Sequence, residues 1–101
     1  MSMIYKYDLG NPNDHGQYAT AIITHNAIIK RYLDIQLQEG HAVLWAEVEK
    51  VKDEDNYFLV QATWTGYEEP EGMEYIGTIQ EPELGLVYHY YGQDPAKRFD
   101  V

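Results

Sequence analysis

The amino-acid sequence predicts a small all-β domain: about seven short, mainly antiparallel strands in a sandwich or partly open barrel, with at most one short helix. Three observations carry this. Apolar residues recur at alternate positions in short runs, the period of a strand with one buried face. Clusters of Gly, Pro, Asn and Asp separate those runs. Ten of the 101 residues are tyrosine, which favours strands and surfaces that use both an apolar ring and a polar tip. No long helical period lies between the runs, so a parallel α/β sheet is not expected. A chain of this length makes one domain, residues 1–101, with a small core.

The runs follow in order. "MIYKYDL" (3–9) puts Met3, Tyr5, Tyr7 and Leu9 on one face and Ile4, Lys6 and Asp8 on the other. "GNPNDHG" (10–16) is a loop by composition, and "YATAII" (18–23) is a second strand. "THNAIIKR" (24–31) is ambiguous, because Thr24 or Asn26 would also serve as the cap of a short helix. "YLDIQLQ" (32–38) turns Leu33, Ile35 and Leu37 inward, and Glu39-Gly40-His41 connects it tightly to "AVLWAEVEKV" (42–51) as a hairpin. There Leu44, Ala46 and Val48 share one face, and Val43, Trp45 and Glu47 the other. "KDEDN" (52–56) reads as a charged turn before "YFLVQATW" (57–64), which aligns Phe58, Val60, Ala62 and Trp64. An acidic loop (65–73), a strand "EYIGTIQ" (74–80), a turn (81–85) and a last strand "LVYHYY" (86–91) follow. Gly92 ends that strand, and 93–101 reads as a mobile polar tail.

Charge and composition exclude several classes. With 17 acidic against 7 basic residues the net charge is -10, so direct binding to a nucleic-acid backbone is not expected. The absence of cysteine excludes disulfides and thiolate metal sites and suits a reducing cytoplasm. No apolar run approaches membrane-spanning length, and "MSMIYKYDLG" lacks the basic and apolar regions of a signal peptide.

Five segments, "IYKYDL" (4–9), "IQLQEG" (35–40), "LWAEV" (44–48), "YIGTIQ" (75–80) and "GLVYHYY" (85–91), carry a pattern that runs in order over nearly the whole chain. In that pattern the chain resembles a group of short all-β bacteriophage and prophage proteins. It departs from the group at "TWTGYEE" (63–69), where the group has a Gly-Thr-Gly-His turn, and at "THNAIIKRY" (24–32), where a short Pro-Gly-Ala turn is usual. The resemblance implies an all-β fold, a phage origin and action in the cytoplasm of the infected host.

No motif for catalysis or a cofactor is present. His15, His25, His41 and His89 show no metal-ligand spacing. Glu68, Glu69, Glu71 and Glu74 read as a solvated acidic face rather than a catalytic pair. In the last strand, alternation puts Leu86, Tyr88 and Tyr90 on one face and Val87, His89 and Tyr91 on the other. His89 is then a half-buried side chain bonded to a neighbour, or part of a binding surface. Basic residues form small islands, Lys30-Arg31, Lys50 with Lys52, and Lys97-Arg98, which suit either solubility or anion binding. Trp45 and Trp64 read as core or interface residues.

Two functions of different class fit. The first is a phage anti-defence protein that sequesters a nucleotide-derived immune signal without cleaving it, in pockets shared between the subunits of a homo-oligomer. Its contacts would be Lys30, Arg31 and Tyr32 with Tyr88, His89 and Tyr91, stacking on the base and meeting the phosphate. The second is an acidic inhibitor of a host protein that handles nucleic acid or serves defence, steered by the acidic loop and the net charge to a basic surface. A phage accessory protein with no small ligand is a third reading.

Overall fold

The computed structural model describes residues 2–97. Arg98 and the rest of the tail lie outside the described residues, as does the side chain of Lys97. The fold is all-β and antiparallel, a sheet curled into a half-barrel. It contains five strands: β1 (Ser2–Asp8), β2 (Ala19–Gln38), β3 (His41–Trp64), β4 (Met73–Gln80) and β5 (Val87–Gln93). A single helical turn, α1 (Pro12–His15), joins β1 to β2. β2 follows one edge of β3, whose other edge carries β1 along Val43–Glu49 and β5 along Val60–Trp64. β4 pairs with β5.

The strand count is lower than the sequence predicts because two pairs of expected strands fuse. The ambiguous segment 24–31 is not a helix but the middle of β2, joining the runs at 18–23 and 32–38. Likewise β3 continues through the expected charged turn. Its register jumps from Asp55 to Lys50 while β2 passes only Asn26, so Val51–Glu54 bulge out of a ribbon that never breaks. Asn26 and Asp53 take left-handed backbone angles there, φ 53 and 54. Thr24 and Asn26 do cap a structure, but it is this bulge. The Thr24 hydroxyl donates to Ala27 O at 2.7 Å, and Asn26 Oδ1 accepts from Glu54 N–H at 3.2 Å.

Two further bulges fall at Lys30 and Leu33. Each shifts the side-chain phase of β2 by one residue. The inward series is therefore Ile22, Thr24, then Ala27, Ile29, then Tyr32, then Ile35, Leu37. Leu33, expected inward by plain alternation, is 37% exposed, and Tyr32 takes its place inside.

Tyr32 then closes the half-barrel. A Cβ on Gly92 would stand 2.5 Å from the Tyr32 ring, and the Tyr32 hydroxyl donates to Gln93 O at 2.6 Å. Gly92 therefore lies within β5 rather than ending it. Gly77 of β4 meets Ile35 in the same way, with a Cβ position 3.0 Å from Ile35 Cγ2. Burial pushes the Tyr32 phenol up, with the charges of Glu74 and Asp94 adding to this, so it stays a neutral donor.

Two apolar clusters fill the interior. One gathers Ile22, Ile35, Leu44, Val60, Ile79, Tyr88 and Tyr90; the other gathers Ala27, Ile29, Val48 and Phe58. Tyr7 and Tyr32 pack against both. Phe58, Val60 and Ala62 lie inward as their spacing predicts, and Leu44, Ala46 and Val48 do the same. The expected loop 10–16 holds α1, capped by the Asn11 side chain with Pro12 at its first position. That turn sits over the core tyrosines: Asn13 Oδ1 accepts from the Tyr88 hydroxyl at 2.8 Å, and His15 Nε2 lies 2.7 Å from Tyr90 Oη. The segment read as a tail from residue 93 begins as ordered chain, with Gln93 in β5 and a 3-10 turn at Pro95–Lys97.

Two predictions follow from this packing. Gly92→Ala drives a methyl into the Tyr32 ring and should cost roughly 1–3 kcal/mol in urea denaturation; adding Tyr32→Ala should make the Gly92 change nearly neutral. Burial lowers the His15 pKa, against weaker upward effects from the Leu9 backbone and Asp14. The unfolded chain, with an ordinary value of about 6.5, then binds the proton more readily. The stabilising contribution is intact above about pH 6.5 and is lost as pH falls toward the folded value. Unfolding curves between pH 5 and 7.5 should show this slope in the wild type and lose it in His15→Gln.

Candidate functional site

The six residues nominated by the sequence do not meet. Lys30, on a bulge of β2, has its ammonium 3.7 Å from Glu49, and Arg31 Nε lies 2.6 Å from Glu47. Both pairs are exposed and lie beside the N-terminal half of β3. Tyr32 is committed to closing the barrel. Tyr88 is 1% exposed, inside the core beneath α1. Only His89 and Tyr91 share the outer face of β5, and His89 pairs with Thr63 near the far end of β3 from Glu47. The last strand splits its faces as the alternation requires, and that split separates Tyr88 from His89.

Around His89 the outer face forms a hydroxyl network. His89 Nε2 lies 2.8 Å from Thr65 Oγ1, and Nδ1 lies 3.0 Å from Thr78 Oγ1. Thr78 Oγ1 is in turn 2.6 Å from Tyr75 Oη. Cross-strand pairing explains the contact with Thr78, which stands opposite His89 on β4; Thr65 follows just past the end of β3, two residues beyond Thr63, the partner of His89 on that strand. A hydroxyl can donate or accept, so either neutral tautomer of His89 is satisfied. Both ring nitrogens lie within hydrogen-bond distance of hydroxyls, so the ring bridges Thr65 and Thr78 across the outer face.

The acidic loop flanks this network. The Tyr91 hydroxyl donates to Glu69 Oε1 at 3.1 Å, and the Tyr75 and Tyr91 rings meet edge to face at 5.5 Å. Burial raises the Tyr91 pKa, and the hydrogen bond and charge of Glu69 raise it further, keeping the phenol protonated. Thr63 Oγ1 donates to Glu68 O at 3.3 Å, anchoring the loop to β3. Tyr67 meets Trp64 edge to face at 5.7 Å while remaining 60% exposed. Tyr75 is 55% exposed. Among the described residues no ion pair joins Glu68, Glu69, Glu71 or Glu74 to a cation. The result is a face of carboxylates and tyrosine rings on a rigid sheet. The sequence offers the glutamates as a solvated face or as the loop that steers the protein to a basic surface; Thr65, Thr78 and Tyr75 are not among its candidates, because Thr78 stands opposite His89 only through the register of β4 on β5, which the sequence does not state.

The family model fits nearly end to end, over residues 1–99. The chain belongs to the family described as a domain of unknown function, DUF7352. No curated protein and no solved structure matches it. Among the described residues, no group of three or more His, Asp or Glu is placed to hold a metal ion, and no helix is long and apolar enough to cross a membrane.

The ion pairs of Lys30 and Arg31 are solvent-exposed, so each is worth under about 1 kcal/mol. Lys30→Ala and Arg31→Ala should each shift the urea midpoint only slightly, whereas Tyr88→Phe, which leaves Asn13 Oδ1 without its buried donor, should cost about 1–2 kcal/mol.

Proposed function

We propose that this protein is a non-catalytic binding protein whose acidic, tyrosine-bearing face docks on a basic surface of another protein. The observation that carries this reading is the set of loop glutamates at 68, 69 and 71, free of cation partners among the described residues, in the loop that also carries exposed Tyr67 and that Glu69 ties to Tyr91 beside exposed Tyr75. Glu74 turns to the other face, toward Tyr32. Negative charge on one face accelerates encounter with a positive one, and tyrosines supply rigid contact area at its centre. The resemblance to phage proteins makes a host protein that handles nucleic acid or serves defence the natural partner, met in the host cytoplasm. Sequestration of a nucleotide signal needs cations free to meet phosphate, and Lys30 and Arg31 are each already beside a glutamate. That weighs for a protein partner over a nucleotide.

The test compares the wild type with a variant carrying Glu→Gln at 68, 69 and 71. Immobilised wild type should retain a discrete host protein that elutes as salt rises. The variant, folded by circular dichroism, should lose it, and Tyr75→Ala should weaken capture about tenfold or more. Capture unchanged by neutralisation would sink the proposal, as would a thermal shift of several degrees with a cyclic nucleotide.

A further inference from the structure

β1 is an edge strand. One side of Ser2–Asp8 is hydrogen-bonded to β3, and no other described strand pairs with it. Natural edges are blunted by proline, bulges or unopposed charge. β1 contains no proline and its register with β3 is unbroken. Its one cation, Lys6, makes no ion pair among the described residues, and its ammonium rests 5.8 Å from the Trp45 ring. Ile4 is 65% exposed and Met3 39%.

The ladder to β3 fixes which amides are free. Leu9 N–H donates to Ala42 O at 2.8 Å. Alternation then turns the peptide groups of Tyr5 and Tyr7 toward β3 and those of Ile4, Lys6 and Asp8 outward. A second antiparallel copy of the strand must match outward residues with outward residues. Three twofold registers centred between Tyr5 and Tyr7 satisfy this; the one at Tyr7 overlaps the two strands over Lys6–Asp8. Centring on Lys6 sets lysine against lysine, which is repulsive. Centring on Tyr5 sets Lys6 against Ile4 and Asp8 against Ser2, with no charge pair. Centring on Tyr7 sets Lys6 against Asp8 twice, and Tyr7 against Tyr7 in a non-hydrogen-bonded position where side chains approach closely. Asp8 is prepared for that role: the Gly10 N–H and then His41 hold its carboxyl below the ordinary range, on the outer face, with 60% of its side chain exposed.

We propose that β1 pairs antiparallel with β1 of a second copy about a twofold axis at Tyr7, joining two half-barrels into one continuous sheet through reciprocal Lys6–Asp8 pairs. The strand sequence is self-complementary in this register alone. The dimer does not rest on the acidic face being a partner surface. Neutralising the three loop glutamates should leave the dimer intact, and a monomeric variant should still capture a partner through its own acidic face.

Sedimentation velocity at tens of micromolar should give a dimer for the wild type. Lys6→Glu should weaken association about tenfold or more, and Asp8→Lys should do the same. Mixing the two variants should restore a one-to-one heterodimer, because every cross-strand pair is then again opposite in sign. Lys6→Pro is the control that spares the Asp8 turn: it removes only an outward N–H, so the ladder to β3 survives while the edge is blocked, and the variant should be monomeric. A monomeric wild type, a Lys6→Pro variant that remains a dimer, or folded single variants that stay monomeric when mixed would each overturn the proposal.

Discussion

The curvature of the sheet rests on the contact between the Tyr32 ring and the bare backbone of Gly92. A half-barrel must bring a strand from one side of the sheet over a strand from the other. Side chains normally hold crossing backbones well apart, and a glycine opposite a large ring lets them approach. The Tyr32 hydroxyl completes the contact by reaching Gln93 O. The bulges at Lys30 and Leu33 are what aim Tyr32 inward, so curvature, register and closure are one linked arrangement.

That arrangement also decides what the surface offers. Each inward phase shift in β2 displaces a polar or apolar residue outward, which leaves Leu33 exposed and places Arg31 against Glu47. The interior is occupied by Tyr88, Tyr90 and the α1 turn, so the half-barrel is a filled core and not a ligand cup. The outer face and the open edge of β1 are then the surfaces left to solvent. On the outer face, hydroxyls around His89 tie β3, β4 and β5 together beneath the acidic loop.

Parts of the fold were legible residue by residue. Alternation placed Phe58, Val60 and Ala62 in the core and separated Tyr88 from His89 across β5, as the structure has them. The tight connection at Glu39-Gly40 also stands, with both residues at positive φ. Reading failed at positions where a local signal had two physical uses. Asn26 and Asp53 favour left-handed backbone wherever it occurs, in a turn, a cap or a bulge. Within one chain Lys30, Arg31 and Tyr32 lie apart from His89 and Tyr91, and Tyr88 faces inward, because neighbours along a strand take opposite faces and bulges change which faces those are.

The sequence by itself determined the all-β class, the face assignments within each unbroken run, the net negative charge and the absence of cysteine chemistry. These follow from period and composition, which are local properties. Tertiary structure alone decided that seven runs make five strands, that Tyr32 rather than Leu33 is inside, and that Thr65, Thr78 and Tyr75 gather at His89. Those outcomes depend on register between segments far apart in the chain. A one-residue slip reverses every face, and only the packed partners say where the slips occur.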